Sequence, residues 1–249
     1  MKANLVAALL ITVSGLSACT LPSEEHLATG EPFDPYESRN RSIHAFNKHV
    51  DRLAFGPASR GYSNAAPEVV LVGVSGFARN LSMPRVFVNG LLQGDLETAG
   101  LAVARFLINT TIGFGGIADP ATDFGIAQAD TDFGETLHKW GFQEGAYVEL
   151  PFLGPSNERD ALGTVVDLFS NPLAYISGEP LGNAGFYAEI IDRMGDRGRY
   201  SDTVESILYE SEDSYAQSRL IFLQNRRFEL GQEAAEQEID PFELDTEGF

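Results

Sequence analysis

Scarcity defines this chain before any motif does. It holds one cysteine in 249 residues, so it can form no internal disulfide and no cysteine-built zinc site. Basic residues are few, 17 Lys and Arg against 36 Asp and Glu, giving a formal net charge of −19. No basic stripe with interleaved aromatics occurs, which excludes nucleic-acid binding, and charge alone gives no attraction to an anionic membrane surface. The four histidines, His26, His44, His49 and His138, are scattered; His44 and His49, five apart, fall off a common helical face. Metal-binding and phosphate-loop patterns are missing too: there is no H-E-x-x-H, Walker A or calcium loop, and Asp119, Asp123, Asp130 and Asp132 match no calcium spacing. Gly73-Val74-Ser75-Gly76-Phe77 falls short of a nucleophile elbow because Phe77 stands where the motif needs Gly. Gly113-x-Gly115-x-x-Ala118 fits a dinucleotide fingerprint only formally, since it leads into Asp119-Pro120 and not into a strand–turn–helix unit. The expectation is a protein that is not an enzyme, with no metal and no dissociable cofactor.

What is present begins at the N-terminus. Lys2, the apolar run Leu5 to Val13 and the small residues Ser14-Gly15 read as a signal peptide, too short to span a bilayer. Leu16-Ser17-Ala18-Cys19 resembles the bacterial lipobox, placing the sole cysteine where a diacylglycerol thioether and, after cleavage, an N-acyl chain are attached. Three acyl chains, at roughly 0.8 kcal/mol per buried CH₂, anchor a protein permanently. Thr20 replaces the Asp of the usual inner-membrane retention signal, so the outer membrane is the expected destination. The reading divides the chain into a signal peptide (1–18), a lipidated flexible tether (19–33), a helical domain (34–230) and an acidic C-terminal tail (231–249).

Within the helical domain, Asp34-Pro35 and Glu37 predict a helix start. Ile43, Phe46, Val50 and Leu53 then mark one face of a helix from about Pro35 to Phe55, with Arg39, Asn40, Arg41, Asn47, Lys48 and Asp51 opposite. Short helices are expected over Glu68 to Leu92, interrupted at Pro84, although periodicity does not separate helix from strand there. Phe186, Tyr187, Ile190, Ile191 and Met194 form a later apolar stripe, Asp202 and Glu205 a capping box, and Ala216, Leu220, Leu223 and Leu230 one face of a final helix. Tyr147 to Leu150 alternates too briefly to predict a sheet. The fold class is therefore all-α.

Gln93 to Pro120 carries the most information. Asp95 caps a helix that is apolar almost all round, long enough to cross a hydrocarbon core but for Glu97 and Arg105. Arg105 then lies either in a large core or in a bilayer, turned toward a polar lumen or a partner carboxylate. Gly113-Phe114-Gly115-Gly116 ends the helix as a hinge or constriction, or as a plain tight loop.

A family resemblance runs through these residues. Asp34-Pro35-Tyr36-Glu37, Asn40-Arg41, Phe46-Asn47, Leu92-Gln93-Gly94-Asp95, Arg105 to Gly113, Gly116 to Ala121, Asp132 to Leu137, Tyr147 to Pro151, Leu153 to Ser156 and Phe222 to Arg227 resemble, in order, the MlaA/VacJ family of outer-membrane lipoproteins. Arg39 departs from the aromatic or aliphatic residue usual there. The resemblance implies a helical ring in the periplasmic leaflet of the outer membrane around an amphipathic channel. It also implies removal of mislocalised phospholipid from the outer leaflet, association with trimeric porins, and transfer to a soluble periplasmic carrier that feeds an inner-membrane ABC transporter. A porin-associated structural lipoprotein without a conduit is the alternative, and a lipid hydrolase using Ser75 a third. By the same resemblance Asn40, Arg41, Phe46, Arg105, Gly113, Phe114, Gly115 and Gly116 are the channel or gating candidates, with Cys19 for lipidation.

Overall fold

A run of small residues lets the two central helices touch. In the computed structural model, which describes residues 20–27, 31–173 and 181–232, α4 (Glu68–Gln93) lies against α5 (Leu96–Thr111) so closely that a Cβ on Gly90 would sit 2.9 Å from the Ala99 amide nitrogen. Gly94, at φ 74°, ends α4, and Asp95 at once caps α5 by accepting from the Thr98 amide at 3.0 Å. The expected break at Pro84 is absent, and α4 is one 26-residue helix. Proline removes backbone bonding from the preceding turn, and there Asn171 Nδ2 donates to the Leu81 carbonyl at 3.0 Å.

Around this pair the remaining helices pack in chain order. After the short α1 (Glu24–Leu27), α2 (Glu37–Val50) continues through a π-turn (Asp51–Phe55) into α3 (Gly56–Ala65), ten residues beyond the expected end. The π-turn widens where Asp51 takes two bonds from Arg197, each 2.9 Å. Beyond α5 come α6 (Pro120–Asp123), α7 (Phe133–Lys139), α8 (Glu158–Ser170), α9 (Leu181–Arg199), α10 (Ser201–Glu205) with a second π-turn (Ser206–Glu210), and α11 (Ser214–Glu229). Helix α9 packs on α3 and α4, and α7 packs on α8.

Two local expectations fail. Tyr147–Leu150 is strand β1 of an antiparallel hairpin with β2, Gly154–Asn157, pairing Tyr147 with Asn157. Its partner contains Pro155 and does not alternate, so periodicity hides it; the fold is still mostly helical. Neither Asp34 nor Asp202 caps a helix: α2 starts after Tyr36 and α10 after Tyr200, without side-chain caps. Asp34 instead receives hydrogen bonds from Asn40, Tyr215 and Arg219.

The distribution of polarity is the main surprise. Large apolar side chains face outward on most helices: Leu53, Leu107, Phe169, Phe186 and Tyr187 are all more than half exposed. The buried set includes Asn40, His44, Asn89, Arg105, Glu149, Arg159 and Asp160 beside alanines and a few larger residues. The Phe186-to-Met194 stripe is helical as expected, yet Ile190 and Ile191 are also exposed. On α11, Leu223 is buried while Leu220 is half-exposed. No helix among the described residues is long and apolar enough to cross a membrane, in line with the argument from Glu97 and Arg105, and the helix from Leu96 is shorter than the apolar run, ending at Thr111.

Candidate functional site

Helix α2 presents three differently coloured sides. At about 100° per residue, Asn40, His44, Asn47 and Asp51 fall on one line, and this polar seam faces the protein. Asn40 is buried, donating to Asp34 Oδ1 (2.9 Å) and the Tyr147 carbonyl (3.0 Å) and accepting from the Glu149 amide (3.0 Å). Asn47 does the same two turns on, donating to the Leu150 carbonyl (2.9 Å) and accepting from the Phe152 amide (2.8 Å). Asn40 therefore pins α2 to β1. The apolar stripe lies on a flank: Phe46 is half-exposed, in edge contact with the exposed Phe152, and Leu53 is two-thirds exposed.

The other flank is cationic and borders an open cleft of about 710 Å³ lined by Arg41, His44, Lys48, His49 and Arg52 from α2 and the following π-turn, with residues 211–215 opposite. Both histidines set apart by the sequence reading thus border one cleft. Arg41 donates to Glu37 (2.7 Å) and to both oxygens of Asp213 (3.0 and 2.8 Å). Beneath the cleft runs a chain of hydrogen bonds. Lys48 Nζ donates to Ser214 Oγ (2.8 Å), which lies 3.2 Å from His44 Nε2; His44 Nδ1 is 3.2 Å from Glu149 Oε1, and Tyr147 donates to Glu149 Oε2 at 2.5 Å. Burial, and then the bond to Glu149, pushes the Tyr147 phenol far above its ordinary range.

Ser214, His44 and Glu149 stand in the order of a hydrolase triad, but the surroundings do not serve acyl transfer. The Ala216 amide, at the start of α11, is given to Asp213 at 3.0 Å and so is not free to bind an oxyanion. Ser214 is itself buried under the Lys48 ammonium, so the chain of bonds fixes Lys48. Ser75, the residue of the hydrolase alternative, donates its hydroxyl to Asp192 and so ties α4 to α9.

The second group of candidates surrounds the end of α5. Arg105 is buried and its Nη2 donates to both oxygens of Asp119 (2.8 and 2.6 Å), while Nη1 reaches the Ile126 carbonyl at 2.6 Å. Asn109 adds a 2.8 Å bond to Asp119 and accepts from the Ala121 amide at 3.0 Å. Arg105 is thus buried, as the first alternative has it, and turned toward a partner carboxylate, as the second has it. Burial pushes the Asp119 carboxyl upward, but hydrogen bonds from Thr122 and Asn109 and the Arg105 charge outweigh it, leaving the group below its usual range.

The glycine segment is folded tightly against α4. Asn80 Nδ2 donates to the Gly115 carbonyl (3.1 Å) and to Thr110 Oγ1 (2.9 Å). Gly116, at φ 99°, has no room for a side chain: a Cβ would fall 2.3 Å from Asn80 Cβ. Gly113 is equally confined, 2.4 Å from the Ala118 carbonyl by the same measure. Between them Phe114 adopts φ 54°, a strained backbone for an aromatic residue, and is 81% exposed. Asn40, Arg41 and Phe46 thus sit with the hairpin and α11, Arg105 on α5 pairs with Asp119 before α6, and Gly115 and Gly116 pack on α4; Cys19 lies outside the described residues.

Comparison with known proteins decides the family. The MlaA lipoprotein family matches residues 32–229. The chain belongs to that family. It is 30% identical over 234 residues to the Haemophilus influenzae intermembrane phospholipid transport system lipoprotein MlaA, covering 92% of each chain. The Escherichia coli protein of that name is 32% identical over 199 residues, 78% of this chain and 77% of that one. An uncharacterized Rickettsia prowazekii protein is 38% identical over 146 residues, a match spanning 58% of either chain. Among solved structures, one described as "Structural basis for maintenance of bacterial outer membrane lipid asymmetry" aligns with a TM-score of 0.66 at 28% identity, over 79% of this chain and 98% of the other.

Sequence reasoning missed His44, Lys48, Arg52, Glu149, Ser214 and Asp119. The α2 residues were readable as a polar line of helical period, but a polar line is ordinarily assigned to water.

Proposed function

We propose that this family member is an outer-membrane lipoprotein, anchored through acyl chains on Cys19, that removes mislocalised phospholipid from the outer leaflet and so maintains lipid asymmetry. The carrying observation is the inverted polarity. Exposed Leu53, Leu107, Phe114 and Phe169 suit hydrocarbon, and the buried Asn40, His44, Glu149 and Arg159 suit a polar interior. With no spanning helix among the described residues, such a body rests in one leaflet as a ring, and a phospholipid crosses with its headgroup toward the polar side. Phe46, Arg41 and the Gly113-to-Gly116 segment form the channel edge and its gate in this reading. Trimeric porin holds the ring, and a soluble carrier takes the lipid onward to an inner-membrane ABC transporter, which supplies the direction. Deleting the gene should raise outer-leaflet phospholipid and detergent/EDTA sensitivity, and wild-type protein should reverse both. Unchanged surface phospholipid in the deletion strain would sink the proposal.

A further inference from the structure

We infer that the cleft between α2 and the start of α11 binds a phosphate group, with Lys48 and Arg52 as its two cationic contacts, and that the phosphate is that of a phospholipid headgroup. The lipid source rests on the function proposed above; the phosphate chemistry stands on the cleft alone.

The observation is a local excess of unspent positive charge in a chain of net charge −19. Among the described residues, every Lys and Arg has a carboxylate in ion-pair range except Arg39, Lys48, Arg52 and Arg79. Two of these four, one helical turn apart, border the same cleft. Both stand over the Tyr209 ring, the Lys48 ammonium 5.6 Å and the Arg52 guanidinium 4.7 Å from its centroid. An aromatic face holds cations in place without neutralising them. The ring is itself fixed, since its hydroxyl donates to Asp51 Oδ2 at 2.8 Å, with the Lys48 carbonyl 3.2 Å away.

Lys48 is further anchored on Ser214. Burial lowers the Lys48 pKa, and the neighbouring Arg52 charge lowers it again, so the ammonium is held at a cost that an incoming anion relieves. Two acidic residues border the cleft. Asp213, though exposed, is engaged by the two bonds from Arg41 and only partly offsets the lowering of the Lys48 pKa; Glu212 is the other acid. A lysine point charge beside a planar arginine fork suits a tetrahedral group with several oxygens better than a two-oxygen carboxylate. About 710 Å³ admits a headgroup.

The test uses the full-length lipidated protein in uncharged detergent, titrated separately with dihexanoylphosphatidylethanolamine, dihexanoylglycerol and inorganic phosphate, with binding read by native mass spectrometry. The phospholipid should bind, and Lys48→Gln/Arg52→Gln should weaken it about tenfold or more, the scale of a lost pair of charge-assisted bonds. Arg79→Gln should leave it unchanged, and dihexanoylglycerol should not discriminate among the variants. Arg52→Gln alone removes an exposed side chain without an ion-pair partner, so its several-fold loss reports binding and not folding. Equal affinities of wild type and both cleft variants for phospholipid and phosphate would overturn the site. Inorganic phosphate binding as tightly as the phospholipid, and weakened by the same variants, would overturn the lipid source. Failure of the transport proposal would show separately, as unchanged surface phospholipid in the deletion strain.

Discussion

The buried Arg105 guanidinium and the partly exposed Asp119 carboxylate form a pair in which one guanidinium nitrogen contacts both carboxylate oxygens, at 2.8 and 2.6 Å, across the turn that carries the glycine segment. Breaking a buried pair from one side leaves an uncompensated charge, at a cost of about 3–5 kcal/mol. Asp119→Ala should lower the thermal midpoint of the detergent-solubilised protein accordingly. Asp119→Asn, which keeps one acceptor oxygen, should cost less. Equal midpoints for wild type and Asp119→Ala would show that the pair holds nothing in place.

Gly116→Ala places a Cβ against Asn80 at a left-handed backbone angle and should destabilise by roughly 1–3 kcal/mol. Gly115→Ala has the same hand of backbone but open space around it and should cost only about 1 kcal/mol. Denaturant midpoints of the two variants, compared side by side, distinguish crowding from backbone preference.

Phe114 separates stability from function. Its backbone is strained and its side chain makes little buried contact, so Phe114→Gly should leave stability unchanged or raise it by up to about 1 kcal/mol. If the aromatic ring works at the channel edge, the same variant should accumulate surface phospholipid. A variant that is stable and fully active removes Phe114 from the gate.

Acid should loosen the body over a defined window. The Asp213 carboxyl is held down to about 2 from an ordinary 3.8, by the Arg41 hydrogen bonds first and the Ala216 amide next. Asp160 is likewise lowered: burial opposes ionisation, and the bonds and charges of Arg226 and Arg159 overcome it. A carboxyl whose folded pKa is depressed stabilises above its unfolded value and loses that contribution as pH falls toward its folded value. The thermal midpoint should therefore hold steady above about pH 5 and drop between roughly pH 4 and 2. Asp213→Asn should blunt the drop.

Ser214 should not react with a fluorophosphonate, because the nearby amide is occupied and the hydroxyl serves Lys48. Labelling that disappears in Ser214→Ala would instead establish an acyl-transfer centre.

Where the helices lie was legible in the chain, and which way they face was not. The Asp95 cap and the helical stripe at Phe186 to Met194 are where their residues put them. Periodicity locates the apolar side of a helix, but the rule that this side turns inward assumes water outside. Phe46 and Leu53 break that assumption on α2, while Asn40 and His44 take the interior. The hairpin escaped because Gly154 to Asn157 carries no alternation and is recognised only by its pairing with Tyr147 to Leu150. The cleft escaped for another reason: Lys48 and Ser214 are 166 positions apart, and only the fold brings them together.

Thr20 bears on how the protein is moored. Its amide and hydroxyl both donate to the Glu158 carboxylate, at 2.7 and 3.1 Å, so the segment read as a flexible tether is fastened to the body at its first described residue. Thr20 is thereby held at the junction of β2 and α8, where Glu158 begins the helix. Acyl chains on Cys19 would act as a pivot instead of a leash, and would set which edge of the protein meets the bilayer first.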